Sequence, residues 1–198
     1  MCLIAVEGID GAGKTTVAKH LCDFLSKLGY DCVLLKEPSE SVYGEKIRSS
    51  ERRLPAEEEL RLFVLDREIH VREKILPALR SGKIVIMDRY YYSNIAYQSA
   101  RGLDAKKIRE INESFAPKPD LVILLDVSVE TALRRIAERK KLTAFEEKEY
   151  LKTVREKFLE LVDDRVVVIN AEDELDVVKK KAMEIVLSFL KKGCGLRT

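Results

Sequence analysis

Residues 8–16 read GIDGAGKTT, and this stretch decides the fold of the 198-residue chain. It satisfies the pattern G-x-x-x-x-G-K-[ST], it follows an apolar run that starts at Leu3, and it precedes a segment with helical periodicity. Glycines let the backbone wrap around a phosphate with its N–H groups pointing inward, and the N-terminus of the next helix adds a favourable dipole. The sequence therefore predicts a phosphate-binding loop between a strand and a helix.

The side chains at the end of this loop predict a nucleoside triphosphate as the ligand. Lys14 is placed to reach the β- and γ-phosphates, and the hydroxyl of Thr15 is placed to bind Mg²⁺. A glycine-rich turn that binds nothing is disfavoured, because motif, preceding strand and following helix occur together. The residues predicted to hold the nucleotide are Gly8, Ile9, Asp10, Gly11, Ala12, Gly13, Lys14, Thr15 and Thr16.

Short apolar runs alternate with helical segments along the rest of the chain. The predicted strands lie in residues 3–7, 32–35, 84–87, 121–125 and 166–169, and the clearest helical segments are 14–28, 57–79, 129–139, 148–161 and 175–190. Strands this apolar are buried on both faces, and the alternation is typical of a parallel sheet with right-handed crossovers. We expect a single α/β domain over residues 1–198, with the P-loop NTPase fold and a five-stranded parallel sheet flanked by helices.

Composition and charge exclude several classes of protein. Apolar residues make up 46% of the chain, and no run approaches the ~18 apolar residues of a membrane span. Lys and Arg number 36 against 34 Asp and Glu, so the charge gives no reason to expect nucleic acid or a membrane as partner. The four cysteines lack C-x-x-C spacing, and the N-terminus has no signal-peptide pattern. We expect a cytoplasmic protein with reduced thiols.

Two predicted strands end in an acidic residue, the pattern of a Walker-B magnesium site. Residues 84–88 read IVIMD and residues 122–126 read VILLD, so the pattern alone leaves both Asp88 and Asp126 open. Asp126 also suits a helix cap. Arg89 favours Asp88, because ligands bind at the carboxyl edge of such sheets and an arginine there can hold a second phosphate. We therefore predict Thr15 and Asp88 as the metal-binding residues.

Six stretches of the chain carry a family resemblance. They read VEGIDGAGKTT (6–16), KEP (36–38), GEKIR (44–48), LFVLDR (62–67), DRYYYSNIAYQ (88–98) and PDL (119–121). In this order they resemble the thymidylate kinase family, nucleoside monophosphate kinases that make dTDP from dTMP and ATP. The resemblance runs from residue 2 to about residue 171. It implies the strand order 2-3-1-4-5, Mg²⁺ with ATP as phosphoryl donor, dTMP as acceptor, and a homodimer.

The same resemblance implies a role for each residue of an acceptor pocket. Phe63 is similar to the aromatic residue that stacks on thymine, and Arg67, one helical turn on, to the residue that hydrogen-bonds the base. Arg89 is similar to the residue that holds the dTMP phosphate. Tyr97 resembles the tyrosine that crowds the 2′ position of the sugar and so favours deoxyribose. The other polar residues implied around the acceptor are Asp10, Glu37, Asn94 and Gln98.

The resemblance further implies a mobile lid at about residues 131–147. Gly11 stands where some family members carry a loop arginine, so the lid is expected to supply the cation for the transferring phosphoryl group. Arg139 is the favoured cation, with Arg135 in support, and a Gly11→Arg substitution is expected to return part of the charge to the loop. The alternative is a basic helix face that is only solvated. The predicted catalytic residues are Asp10, Lys14, Arg135 and Arg139.

Two other functions stay open on the sequence alone, because a phosphate loop occurs in many classes of protein. The first is a kinase for another nucleotide or for a deoxynucleoside. The second is a P-loop ATPase or switch that binds ATP without an acceptor. Acceptor-dependent release of ADP separates these two from a dTMP kinase.

Overall fold

A computed structural model of the chain describes residues 2–50, 53–138 and 144–193. Its strands are β1 (Cys2–Glu7), β2 (Cys32–Lys36), β3 (Ile84–Asp88), β4 (Leu121–Asp126) and β5 (Val166–Asn170). They form one parallel sheet in the order β2-β3-β1-β4-β5. The predicted five-stranded parallel sheet is confirmed, and so is the strand order that the family resemblance implies.

Nine α-helices are present in the described ranges. They are α1 (Lys14–Lys27), α2 (Val42–Ser49), α3 (Ala56–His70), α4 (Leu76–Arg80), α5 (Tyr91–Ser99), α6 (Ala105–Glu113), α7 (Val129–Ala137), α8 (Ala144–Glu160) and α9 (Leu175–Lys191). The helix predicted over residues 57–79 is divided by a π-helical turn at Val71–Ile75. Pro77 follows this turn, and its missing N–H and its ring prevent a regular α-helix there.

The sequence patterns did not predict α2, α5 or α6. Helix α5 reads YYSNIAYQS and buries nearly all of its side chains, so it has no polar face that would produce helical periodicity. Helix α6 did carry a start signal, because the carboxylate of Asp104 accepts hydrogen bonds from the backbone N–H groups of Lys106 and Lys107. Together, α3, α5 and α6 border the site described below.

The sheet brings the two strongest motifs together at one edge. In the centre of the sheet β1 is buried along its whole length, and its residue Val6 pairs with Asp88 of β3. The backbone N–H of Arg89 then donates to the carbonyl of Val6 at 3.1 Å. The phosphate loop and the segment that begins at Asp88 therefore leave the sheet side by side, at the carboxyl edge where open parallel sheets bind ligands.

In the described part of the chain, no helix is both long and apolar enough to cross a bilayer.

Candidate active site

The phosphate loop is held in a backbone conformation that its glycines permit. Gly8 and Gly11 have φ angles of 141° and 82°, and a Cβ on Gly8 would lie 2.5 Å from the carbonyl oxygen of Leu125. A Cβ on Gly11 would overlap the backbone of Ala132 in α7. This geometry opposes the expectation that Gly11→Arg supplies charge from the loop, because any side chain at residue 11 must first displace α7.

Lys14 lies under this loop, with only 6% of its surface exposed. Its Nζ donates to the carbonyl of Ile9 at 2.6 Å. Burial, followed by the charge of Arg89, lowers the pKa of Lys14 to about 7. A phosphate bound in the loop adds negative charge, which favours the protonated lysine.

Only one of the two strand-end aspartates contacts the phosphate loop. The hydroxyl of Thr15 donates to Asp88 Oδ2 at 2.6 Å, whereas Asp126 accepts two hydrogen bonds from Arg155, at 2.6 and 2.8 Å. A hydroxyl beside a carboxylate is an oxygen donor pair that suits Mg²⁺. The described residues contain no group of three or more His, Cys, Asp or Glu that could hold a metal. A magnesium ion there would need phosphate and water oxygens as its other ligands.

Arg89 is presented to the site by a strained backbone. Its φ angle of 72° is the one positive value of a non-glycine residue in the described chain. Its guanidinium donates to the carboxylate of Asp10 and, at 3.1 Å, to the hydroxyl of Ser93. Tyr97 donates to the other oxygen of Asp10 at 2.9 Å. Desolvation raises the pKa of Asp10, but the charges of Arg89 and Lys14 outweigh it and bring the pKa to about 2. An ionised carboxylate therefore occupies the anion-binding face of Arg89.

Glu7, at the end of β1, fixes the segment that carries Arg89. It is fully buried, and Oε1 accepts hydrogen bonds from the backbone N–H groups of Tyr90 and Ser93, at 2.7 and 3.2 Å. Oε2 accepts from the hydroxyl of Ser93 at 2.5 Å. Sequence reasoning assigned Glu7 no role, although an acid inside an apolar strand was an available signal.

We expect the substitution Glu7→Gln to change how stability depends on pH. Burial raises the pKa of Glu7 from 4.5 to about 7, so the folded chain holds a proton that the unfolded chain has lost between these values. The contribution is complete below pH 4.5 and is lost as the pH rises through 7, a change of about 3 kcal/mol in the free energy of unfolding. Glutamine keeps the oxygen that accepts from the two backbone N–H groups, places an amide N–H group beside the hydroxyl oxygen of Ser93, and removes the titratable proton.

Urea denaturation at pH 5 and pH 8 measures this effect. The wild type should lose more stability than Glu7→Gln between these two values, and the exposed control Glu156→Gln should behave as the wild type. Equal losses in all three proteins would contradict the assignment to Glu7.

A cavity of about 290 Å³ opens beside Arg89. All eight residues that the resemblance implies around the acceptor line it, Asp10 among them. Phe63 and Arg67 reach it from α3, while Asn94, Tyr97 and Gln98 reach it from α5. Pro38, Arg53 and Glu59 also line it, although sequence reasoning did not select them. The chain thus brings the predicted acceptor residues into one cavity.

An ion pair between two lining residues forms part of the wall of this cavity. Nε and Nη2 of Arg67 donate to Oε2 of Glu37, at 2.8 and 2.6 Å, and both residues are at most 3% exposed. His70 Nδ1 lies 3.3 Å from the other oxygen of Glu37. Because Nε and Nη2 converge on one oxygen while Nη1 donates to Asn94 and Asn112, the plane of the Arg67 guanidinium is fixed within the protein.

A smaller cavity of about 160 Å³ lies on the other side of the phosphate loop, between Gly13, Arg135 and Leu175. Arg135 Nη2 donates to the carbonyl of Ala171 at 2.9 Å. Arg135 therefore lines a different cavity from Arg89. The other predicted lid cation, Arg139, lies outside the described residues, as do two further basic residues of the predicted lid, Lys140 and Lys141.

Comparison of the sequence with known proteins identifies the family of this chain. The family model described as thymidylate kinase matches residues 6–182. A probable thymidylate kinase of Archaeoglobus fulgidus is 58% identical over 188 residues, which cover 95% of this chain and 96% of that protein. A thymidylate kinase of Brachyspira hyodysenteriae is 42% identical over 77% of this chain and 76% of its own. Because the family model and these relatives match over most of the chain, this protein belongs to the thymidylate kinase family.

Proposed function

We propose that this protein transfers the γ-phosphoryl group of ATP to dTMP, giving dTDP and ADP for dTTP synthesis. Family membership supports this activity. The observation that carries it in this chain is the position of Arg89, in a nucleotide-sized cavity and directly after the strand whose last residue contacts Thr15. An acceptor phosphate on Arg89 would therefore face the γ-phosphate of a nucleotide in the loop.

On the donor side, the phosphates of ATP lie in the loop and Lys14 reaches the transferring group. Thr15 and Asp88 would hold Mg²⁺, which neutralises charge on the β- and γ-phosphates when bound. The small cavity beside Gly13 would take the nucleoside part of ATP, with Arg135 at its edge. The proposed lid at about residues 131–147 would close over the donor site and bring the cation Arg139 to the transferring group.

On the acceptor side, the phosphate of dTMP replaces the carboxylate of Asp10 on Arg89, since a phosphate offers more charge and more acceptor oxygens. The attacking oxygen is already anionic, so no general base is needed. The enzyme contributes alignment of the two phosphates and stabilisation of the charge that spreads over the transferring group. Phe63 stacks on the base, and Arg67 binds its carbonyl.

Tyr97 is proposed to exclude ribose. Its ring is held edge-on by Tyr150 and Phe158, with centroids 6.1 and 6.2 Å away. We expect Tyr97→Ala to lower the ratio of kcat/KM for dTMP to that for ribothymidine monophosphate about tenfold or more, because the space for a 2′-hydroxyl opens. Tyr97→Phe keeps the ring and should keep the ratio.

Steady-state kinetics with the two acceptors measures this ratio, with the exposed Tyr30→Ala as a control. An unchanged ratio in the alanine variant would remove Tyr97 from the sugar pocket.

A coupled assay of ADP release tests the proposed function. We expect release that depends on dTMP and exceeds the release with dCMP, dGMP or thymidine. Equal rates with these acceptors would favour a kinase of other specificity, and release that ignores every acceptor would favour an ATPase. The homodimer, the cytoplasmic location and the single domain over residues 1–198 stay predictions.

A further inference from the structure

Asn112 lies on α6, outside every stretch that carries the family resemblance, and its side chain is fully buried. Its Oδ1 accepts a hydrogen bond from Nη1 of Arg67 at 2.5 Å. Its Nδ2 donates to Oδ1 of Asn94 at 3.1 Å and to the carbonyl of Ile108 at 2.8 Å. The side chain therefore joins α6 to two residues of the acceptor cavity, Arg67 on α3 and Asn94 on α5.

The orientation of this amide is fixed from both sides. The carbonyl of Ile108 can only accept a hydrogen bond, so it requires Nδ2 of Asn112 on its side. The guanidinium of Arg67 can only donate, so it requires Oδ1 on the opposite side. Both partners are satisfied by one orientation, and a flipped amide would place donor against donor and acceptor against acceptor.

The orientation of the Asn112 amide determines the orientation of the next two amides in the cavity wall, those of Asn94 and Gln98. Oδ1 of Asn94 accepts from Asn112 and, at 3.2 Å, from Arg67, so its nitrogen is turned toward Gln98. That nitrogen donates to Oε1 of Gln98 at 2.7 Å, and Nε2 of Gln98 donates to Glu59 at 2.8 Å. Each amide accepts on one side and donates on the other. Replacing the donating amide nitrogen of Asn112 with an acceptor would therefore disturb the orientation of the Asn94 and Gln98 amides.

The cavity wall retains N–H groups that the hydrogen bonds above do not use, and these groups can donate to a ligand. Four of the five N–H groups of Arg67 bond to Glu37, Asn94 and Asn112, which leaves one on Nη2. Asn94 and Gln98 each retain one amide N–H beyond the bonds above, and all three residues line the acceptor cavity. Such a wall suits a base with a ring carbonyl and repels an exocyclic amino group.

We propose that Asn112 is a positioning residue for acceptor-base selectivity: by fixing Arg67 and the amide of Asn94, it makes the cavity prefer a keto pyrimidine over an amino pyrimidine. The proposal deepens the proposed function and rests on it for the identity of the acceptor cavity. Asn112 itself touches no substrate and acts only through Arg67 and Asn94.

Binding of dTMP and of 5-methyl-dCMP, measured by calorimetry without ATP, tests the proposal. These two ligands share the methyl group, the sugar and the phosphate. They differ at C4, where thymine has a carbonyl and 5-methylcytosine an amino group, and at the adjacent N3, which carries a hydrogen only in thymine. Asn112→Asp keeps the acceptor for Arg67 and removes both donated hydrogen bonds. We expect the preference for dTMP to fall about tenfold in this variant, the scale of one hydrogen bond with its partner left unpaired.

Steady-state kinetics separates a positioning role from a purely structural one. The KM for dTMP should rise about as much as binding weakens, while the KM for ATP and the kcat at saturating dTMP stay close to the wild type. Ile108→Val, a core substitution on the same helix, should leave the dTMP preference unchanged. Because the proposed order of amides runs through Asn94, Asn94→Asp should also lower the preference, which keeps a test available if Asn112→Asp does not fold.

Three results would overturn the proposal. The first is a wild type that binds the two ligands equally well. The second is an unchanged preference for dTMP in Asn112→Asp, or in Asn94→Asp if Asn112→Asp does not fold, and the third is a loss of preference in Ile108→Val as large as that in Asn112→Asp. A wild type that binds dTMP selectively but transfers no phosphate would contradict the proposed function instead, and the binding data would still decide the role of Asn112.

Discussion

Replacing Lys14 with alanine should lower kcat/KM for dTMP by ~10³ or more while the fold persists, since we propose that this amine acts on the transferring phosphate and not in an apolar core. Among the described residues, the hydrogen bond that its Nζ donates is to the carbonyl of Ile9, and burial lowers its pKa to about 7. Removal of a desolvated amine therefore costs little stability. The charge it would give to the transferring phosphoryl group has no substitute in the loop, because Gly11 admits no side chain.

Coupled kinetics and circular dichroism together check this prediction. Lys27→Ala, at the exposed end of the same helix, is the matched control and should keep full activity. Retained transfer by Lys14→Ala, or a loss of its helical spectrum, would contradict the role given to this lysine.

Replacing Arg89 should act on the acceptor and leave the donor site unchanged. We expect Arg89→Ala to lower kcat/KM for dTMP by ~10³, the scale expected when a bidentate phosphate contact is lost, with the KM for ATP changed little. Arg89→Gly should be as inactive as Arg89→Ala but more stable than Arg89→Ala, because glycine relieves the backbone at a φ angle of 72°. The two variants should therefore match in activity and differ in stability.

Thermal denaturation and kinetics with both nucleotides as varied substrate measure these effects. The exposed Arg80→Ala is the control and should match the wild type. A larger effect on the KM for ATP than on that for dTMP would place Arg89 on the donor side and contradict the proposal.

The parts of the site that the sequence predicts are those formed by a single short stretch of consecutive residues. The loop at 8–16 and the segment at 88–98 each carry their own geometry, and parallel pairing of β1 with β3 then brings them together. The choice between Asp88 and Asp126 was harder, because both end apolar strands. The structure separates them through Arg155, which is far away in sequence and engages Asp126.

The parts that the sequence did not predict depend on contacts between distant elements. Helix α5 lacks helical periodicity because it is surrounded by protein on nearly every side. Glu7 contacts Ser93, 86 positions away, in the segment that carries Arg89, and Asn112 contacts Arg67, 45 positions away. The acidic residue type marked Glu7 as unusual for an apolar strand, but no local pattern indicates the distant partner of either residue. The clash at Gly11 likewise comes from α7, and residue type alone did not indicate it.

The fate of the γ-phosphate of ATP tests the central claim most directly. With ATP labelled at the γ position, wild-type protein and dTMP, we predict that the label appears in dTDP in a one-to-one ratio with the ADP formed. The label should stay in ATP when dTMP is omitted, and in the Arg89→Ala variant at acceptor concentrations that saturate the wild type. Label released as inorganic phosphate in step with ADP, with none in dTDP, would contradict the account.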